Sequence, residues 1–183
     1  MRAHRPIFLA VALALLALAL PAGAQAAPQA CQSAAYKPGE ISKRKLVRAT
    51  LCALNVERRQ RGLRKLKLSK RLSKAARRHA ADMARRNYFS HSSPSGASFI
   101  DRIRRAGYLL GARSWTAGEN IAWGSGRRAA PRATVRAWMN SPGHRANILK
   151  GRFRHIGIGI AYGAPARAGG RSATYVNDFG SKR

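Results

Sequence analysis

The apolar residues of this chain change their spacing along its length, and that change restricts the architecture more than any other feature. Leu46, Val47, Leu51 and Leu54 share one helical face, and Leu72, Ala76, His79, Ala80 and Met83 recur at three- and four-residue steps. Ile156, Ile158, Ile160 and Tyr162 instead alternate with Gly157, Gly159 and Ala161, the two-residue period of a strand. After a Gly/Ala/Pro loop over 163–170, Thr174 to Phe179 reads as a second strand. Helices gathered first and strands last predict an α+β domain with a small antiparallel sheet, not a β-α-β repeat.

Boundary signals fit this division. Helical spacing begins after Ser42 and stops at Gly62; Ser69 caps a second helix, and Leu66 and Leu68 flank a short extended connection before it. Ser98 opens a third, short helix with Phe99 and Ile103 inward, ending at Gly107. Pro131 starts a fourth, with Val135, Trp138 and Met139, and Ser141-Pro142 starts another. Between them Glu119 to Gly124 is apolar enough for a short strand.

The N-terminus is an address, not structure. Arg2 and Arg5 precede an unbroken apolar run, Ile7 to Leu20, and small-x-small sites follow at Ala22-Gly23-Ala24 and Ala24-Gln25-Ala26. Fourteen helical residues span about 21 Å, short of the roughly 30 Å hydrocarbon core. Residues 1–26 therefore read as a secretory signal, with an uncleaved anchor as the alternative; 27–42 reads as a linker and 43–183 as the domain. Export permits oxidation, so Cys31 and Cys52, the two cysteines of the chain, are expected to form a bridge rather than stay thiols.

Charge narrows the partners. The 36 Lys+Arg outweigh 6 Asp+Glu for +30, and removal of Arg2 and Arg5 leaves 34 against 6, or +28. Such a surface attracts polyanions in a salt-dependent way. No recognition motif or aromatic series points to nucleic acid, so anionic wall polymers or lipid headgroups are the expected partners of an exported monomer.

Among the histidines, His79 lies on the apolar face of the second helix and reads as buried and hydrogen-bonded, while His155 at a strand head reads as surface. His91, in a Ser-rich turn, and His144, in the first turn of a helix whose dipole disfavours protonation, are the candidates for chemistry. Of the six acids, Glu57, Asp82 and Asp101 sit among arginines and read as surface ion pairs. Glu119 lies in the uncharged Ala117-Gly118-Glu119-Asn120-Ile121-Ala122, where a carboxylate needs a partner; His91 and His144 are the options. Two imidazoles and one carboxylate would make the protein part of an open zinc site, although gaps of 28 and 25 residues match no short metal motif.

In order along the chain stand Phe89-Ser90-His91, Gly118-Glu119-Asn120-Ile121-Ala122, Ser141-Pro142-Gly143-His144-Arg145-Ala146-Asn147-Ile148-Leu149, Ile156-Gly157-Ile158-Gly159 and Asp178-Phe179-Gly180. This series, over about Leu46 to Gly180, resembles the bacterial branch of the CAP superfamily (cysteine-rich secretory proteins, antigen 5, pathogenesis-related proteins), or SCP-like domains. The resemblance implies an α-β-α sandwich with a central cleft of two histidines and two glutamates that in some members holds a divalent metal. His91, Glu119 and His144 match three of these. The fourth, usually a glutamate three residues after the helical tryptophan, is Ser141 here, which leaves at most three ligands for a Zn²⁺.

Together these readings lead to a secreted protein binding an anionic cell-envelope component or small amphiphile in a cleft of His91, Glu119, His144 and Ser141, without catalysis. Alternatives are a metal-assisted hydrolase using the same cleft, and a basic polyanion-binding or antimicrobial protein. Trp138, Ile148, Ile158, Val176 and Leu51 are expected in the core, and Glu119 within ligand distance of both cleft histidines.

Overall fold

Serine caps start the first three helices where the sequence sets them. In the computed structural model, which describes residues 29–166 and 171–183, α1 spans Lys43–Arg59, with Ser42 Oγ accepting from Lys45 N at 3.3 Å. α2 spans Lys70–Arg86 behind Ser69, and α3 spans Phe99–Arg105 behind a reciprocal Ser98–Asp101 capping box. Gly62 and Gly107 follow α1 and α3 with φ of 67° and 80°, a left-handed backbone that glycine adopts without a Cβ penalty. α4 (Pro131–Met139) and α5 (Pro142–Leu149) each place proline in the first turn.

Four strands form one sheet in the order β1 (Lys67–Leu68), β3 (His155–Tyr162), β4 (Ser172–Lys182), β2 (Trp115–Ser125). β2/β4 and β3/β4 are antiparallel, whereas β1 pairs parallel with β3. The sheet is therefore mixed: the extended connection between Leu66 and Leu68 is a two-residue strand, because the chain turns from α1 into α2 alongside His155 and Ile156. β2 and β4 also extend beyond the stretches read from sequence, pairing from Trp115↔Lys182 to Ser125↔Ser172.

Helices cover both faces, which gives the α-β-α sandwich. On one face α1, α4 and α5 enclose Leu46, Leu54, Trp138, Ile148, Phe153, Ile156, Ile158, Tyr175 and Phe179, all buried. Leu51 is only partly buried at the edge of this cluster, because Leu46 and Leu54 occupy the inward line of α1. On the other face α2 lies directly on β3. A Cβ on Gly157 would come within 2.1 Å of Leu72 C, and one on Gly159 within 2.2 Å of Ala76 C. The alternating glycines let the helix backbone rest on the strand, a close approach that no larger residue permits.

Two cross-links tie the layers. Arg58, fully buried, donates to the carbonyls of Arg64 (2.9 Å), Ile148 (2.7 Å), Lys150 (3.1 Å) and Phe153 (3.3 Å), binding α1 to the turn after α5. Cys31 and Cys52 form the expected disulfide with Cα atoms 5.6 Å apart. Closing a loop of 21 residues contributes about 3 kcal/mol in the chain-entropy account. Cys31 belongs to a short 3₁₀ segment, Gln29–Ala35, inside the stretch read as a linker; Ala34 there is buried against α1. The expected signal, residues 1–26, lies outside the described residues. No helix among the described residues is long and apolar enough to cross a membrane.

Candidate functional site

β2 is an edge strand of the sheet, and the cleft is built along it. Its backbone is held from outside by α4 and α5: Trp138 Nε1 donates to Ile121 O at 3.0 Å, and Asn147 Nδ2 to Glu119 O at 3.2 Å and Asn120 Oδ1 at 2.9 Å. Asn120 Nδ2 in turn donates to His144 O at 3.0 Å. Asn147 can approach because residue 118 is glycine; a Cβ there would lie 2.7 Å from Asn147 Oδ1. These bonds fasten the start of α5, with Ser141 and His144, beside the segment carrying Glu119.

Strand alternation turns Glu119 toward the α2/α3 face, with its side chain fully buried. One oxygen faces His91 Nδ1 at 2.8 Å, and the other accepts from Arg102 Nη2 at 2.7 Å. Of the two expected partners of Glu119, the structure supplies His91; the second partner is Arg102 and not His144. Burial pushes the Glu119 carboxyl up, but the His91 hydrogen bond and the Arg102 charge outweigh it and hold the carboxyl below its ordinary value. Arg102 also donates to His91 O (2.8 Å) and Ala97 O (3.0 Å), so one guanidinium fixes both the carboxylate and the loop bearing the histidine.

Beneath this pair lies Asp178, opposite Glu119 in the β2/β4 register and buried. Burial, then the Glu119 charge, raise its carboxyl well above the ordinary value. Among the described residues neither Asp178 oxygen has a donor; its neighbour is itself a carboxylate. Burial and the adjacent Glu119 charge both favour the neutral acid at Asp178. His79, buried as expected, meets Ser90 O through Nε2 at 2.9 Å; burial first and the Arg102 charge second lower its pKa.

His91 is half exposed at the mouth, with 52% of its side chain accessible; Nδ1 faces Glu119, and Nε2 has no hydrogen-bond partner among the described residues. His144 Nδ1 lies 3.0 Å from Ser141 Oγ; the serine meets the histidine instead of capping the helix with its side chain. The His144 pKa is lowered as expected, though by burial first and the nearby His91 second. His155, read as surface, is half-buried, with Nδ1 3.0 Å from the Tyr108 hydroxyl.

This arrangement does not fit a three-ligand metal site. Both Glu119 oxygens are engaged, and among the described residues no group of three His, Cys, Asp or Glu side chains is placed to hold an ion. What the geometry offers is a surface imidazole oriented by a buried carboxylate, with a second imidazole and a hydroxyl nearby. The roles of Arg102 and Asp178 escaped the sequence reading: a helical arginine among many carries no local signal, and Asp178 entered only as part of the closing Asp178-Phe179-Gly180 motif.

Comparison with known proteins agrees with this architecture. The chain is 43% identical over 124 residues to the uncharacterized protein YkwD of Bacillus subtilis, covering 67% of this chain and 44% of that one. It is 33% identical over 133 residues to the uncharacterized membrane protein YlbC of the same organism, covering 73% and 36%. It thus spans less than half the length of either curated relative. Among solved structures, an extracellular SCP-domain protein of Bacillus anthracis superposes with a TM-score of 0.58 at 27% identity, covering 80% of this chain and 47% of that one. An outer surface protein of Borrelia burgdorferi shares the fold, with a TM-score of 0.61 at 19% identity over 78% of this chain and 97% of its own. Residues 51–177 match the cysteine-rich secretory protein family, CAP, and with the α-β-α sandwich and the Glu119 strand in place the chain belongs to that family.

Proposed function

We propose that this CAP-domain protein is exported and binds an anionic cell-envelope component or small amphiphile in the cleft of His91, Glu119, His144 and Ser141, without transforming it. One observation carries the reading: Glu119 is fully buried with both oxygens engaged, so it serves as an anchor that orients His91 rather than as a group that meets a ligand. The groups left at the mouth are imidazoles and a hydroxyl, which bind anionic oxygens by hydrogen bonding. The formal +30 of the chain draws such ligands in. The description of the Bacillus anthracis neighbour as extracellular supports export. A metal-assisted hydrolysis would need a third ligand beyond the two imidazoles.

The test is retention of purified protein on isolated bacterial wall material, intact or stripped of its anionic polymers, with palmitate as the amphiphile probe, at 150 mM salt. His91→Ala/His144→Ala is expected to lower retention or palmitate affinity about tenfold or more, the loss of two imidazole contacts to anionic oxygens. Retention that falls only with rising salt and ignores the double variant would instead support a polyanion-coating protein that does not use the cleft.

A further inference from the structure

A pocket of about 390 Å³ opens between α2, α3 and the 93–97 loop, and none of His91, Glu119 or His144 lines it. Its size falls in the range of small-ligand sites. Five guanidinium groups, Arg78, Arg85, Arg86, Arg102 and Arg105, face one acid, Asp82. Asp82 is already engaged: Arg85 lies at 3.2 Å, Arg86 at 3.8 Å, and the Tyr88 hydroxyl donates to it at 2.6 Å. Arg102 is engaged by Glu119.

Two arginines remain. Arg78, on α2, makes no hydrogen bond or ion pair among the described residues. Arg105, at the end of α3, donates only its Nε, to Asp101 O at 3.3 Å. Ser93 and Ser95 bring hydroxyl groups from the loop, and short alanines line the wall between the arginine arms. Here the arginines of two helices converge on one concavity.

We propose that this pocket is a phosphate site, binding a phosphomonoester dianion between Arg78 and Arg105. A guanidinium fork pairs with two anionic oxygens, and a carboxylate fills one fork. A phosphomonoester carries nearly two charges and three acceptor oxygens, enough for both forks and a serine hydroxyl. The site goes beyond the cleft reading and does not depend on it.

Calorimetric titration at 150 mM salt tests the site with inorganic phosphate, glycerol 3-phosphate and acetate, so that long-range attraction is screened. Saturable 1:1 binding of phosphate or its ester is expected, tighter than acetate; the ratio of the first two tells a bare-ion site from one that also accepts the ester's carbon body. Arg78→Gln/Arg105→Gln, both exposed positions, is expected to weaken binding about tenfold or more with an unchanged thermal melt. Arg127→Gln/Arg128→Gln removes the same charge from exposed positions elsewhere and is expected to stay within about twofold. His91→Ala/His144→Ala should leave phosphate binding unchanged, which separates this test from that of the cleft. Equal weakening in the two arginine pairs, acetate binding as tightly as phosphate, or no saturable binding would each overturn the site.

Discussion

Replacing Arg102 by methionine removes the guanidinium paired with a fully buried carboxylate. The guanidinium loses bonds of 2.7 Å to Glu119, 2.8 Å to His91 O and 3.0 Å to Ala97 O, while the methionine fills most of its volume. Breaking one side of a buried pair costs about 3–5 kcal/mol, because the remaining charge is stranded. For a domain of this size that is roughly 6–20 °C in Tm. The sign with pH follows from Glu119. Its folded carboxyl is held below the ordinary value, so it contributes stability above the unfolded carboxylate range that is lost as pH falls through the folded value. Without Arg102, burial prevails and Glu119 takes up a proton more readily, so the deficit should be largest at neutral pH and shrink toward pH 4. Urea melts of the two proteins at pH 7 and pH 4 measure it. Arg102→Met/Glu119→Gln should recover part of the loss, since the stranded charge is gone. A deficit under about 1 kcal/mol at pH 7, or one equal at the two pH values, would refute the account of Arg102 as the counter-ion of Glu119.

Asp178→Asn keeps a neutral donor toward Glu119 and should stabilise the fold by about 1–3 kcal/mol at pH 7. The raised folded value of Asp178 means that its contribution is complete below the unfolded carboxylate range and lost as pH rises through the folded value, so the gain should vanish near pH 3.5 in the same melts. Gly159→Ala would drive a Cβ to 2.2 Å from the backbone of Ala76 in α2 and should cost about 1–3 kcal/mol or more by thermal denaturation. Gly143→Ala, which meets nothing within 4 Å, should be neutral or gain about 0.4–1 kcal/mol.

How much of this was legible in the residue order depends on the range of the forces involved. Ser42, Ser69 and Ser98 could be read as helix starts because a cap bonds a neighbour three residues away. The run from Ile156 to Tyr162 declared a strand because its period is local. Ordered motifs placed His91, Glu119 and His144 in one family pattern, and the structure pairs the first two directly while setting His144 against Ser141.

Sequence by itself determined the helices, the period of β3, the two cysteines available for a bridge and the excess of cationic side chains. Only the tertiary structure decided that Lys67 and Leu68 add a parallel strand, that Arg102 rather than His144 neutralises Glu119, and that burial beside Glu119 raises the Asp178 carboxyl. Each of these depends on contacts between segments distant in the chain, where burial removes water and leaves the nearest side chain to settle the charge. No local pattern encodes which side chain that is.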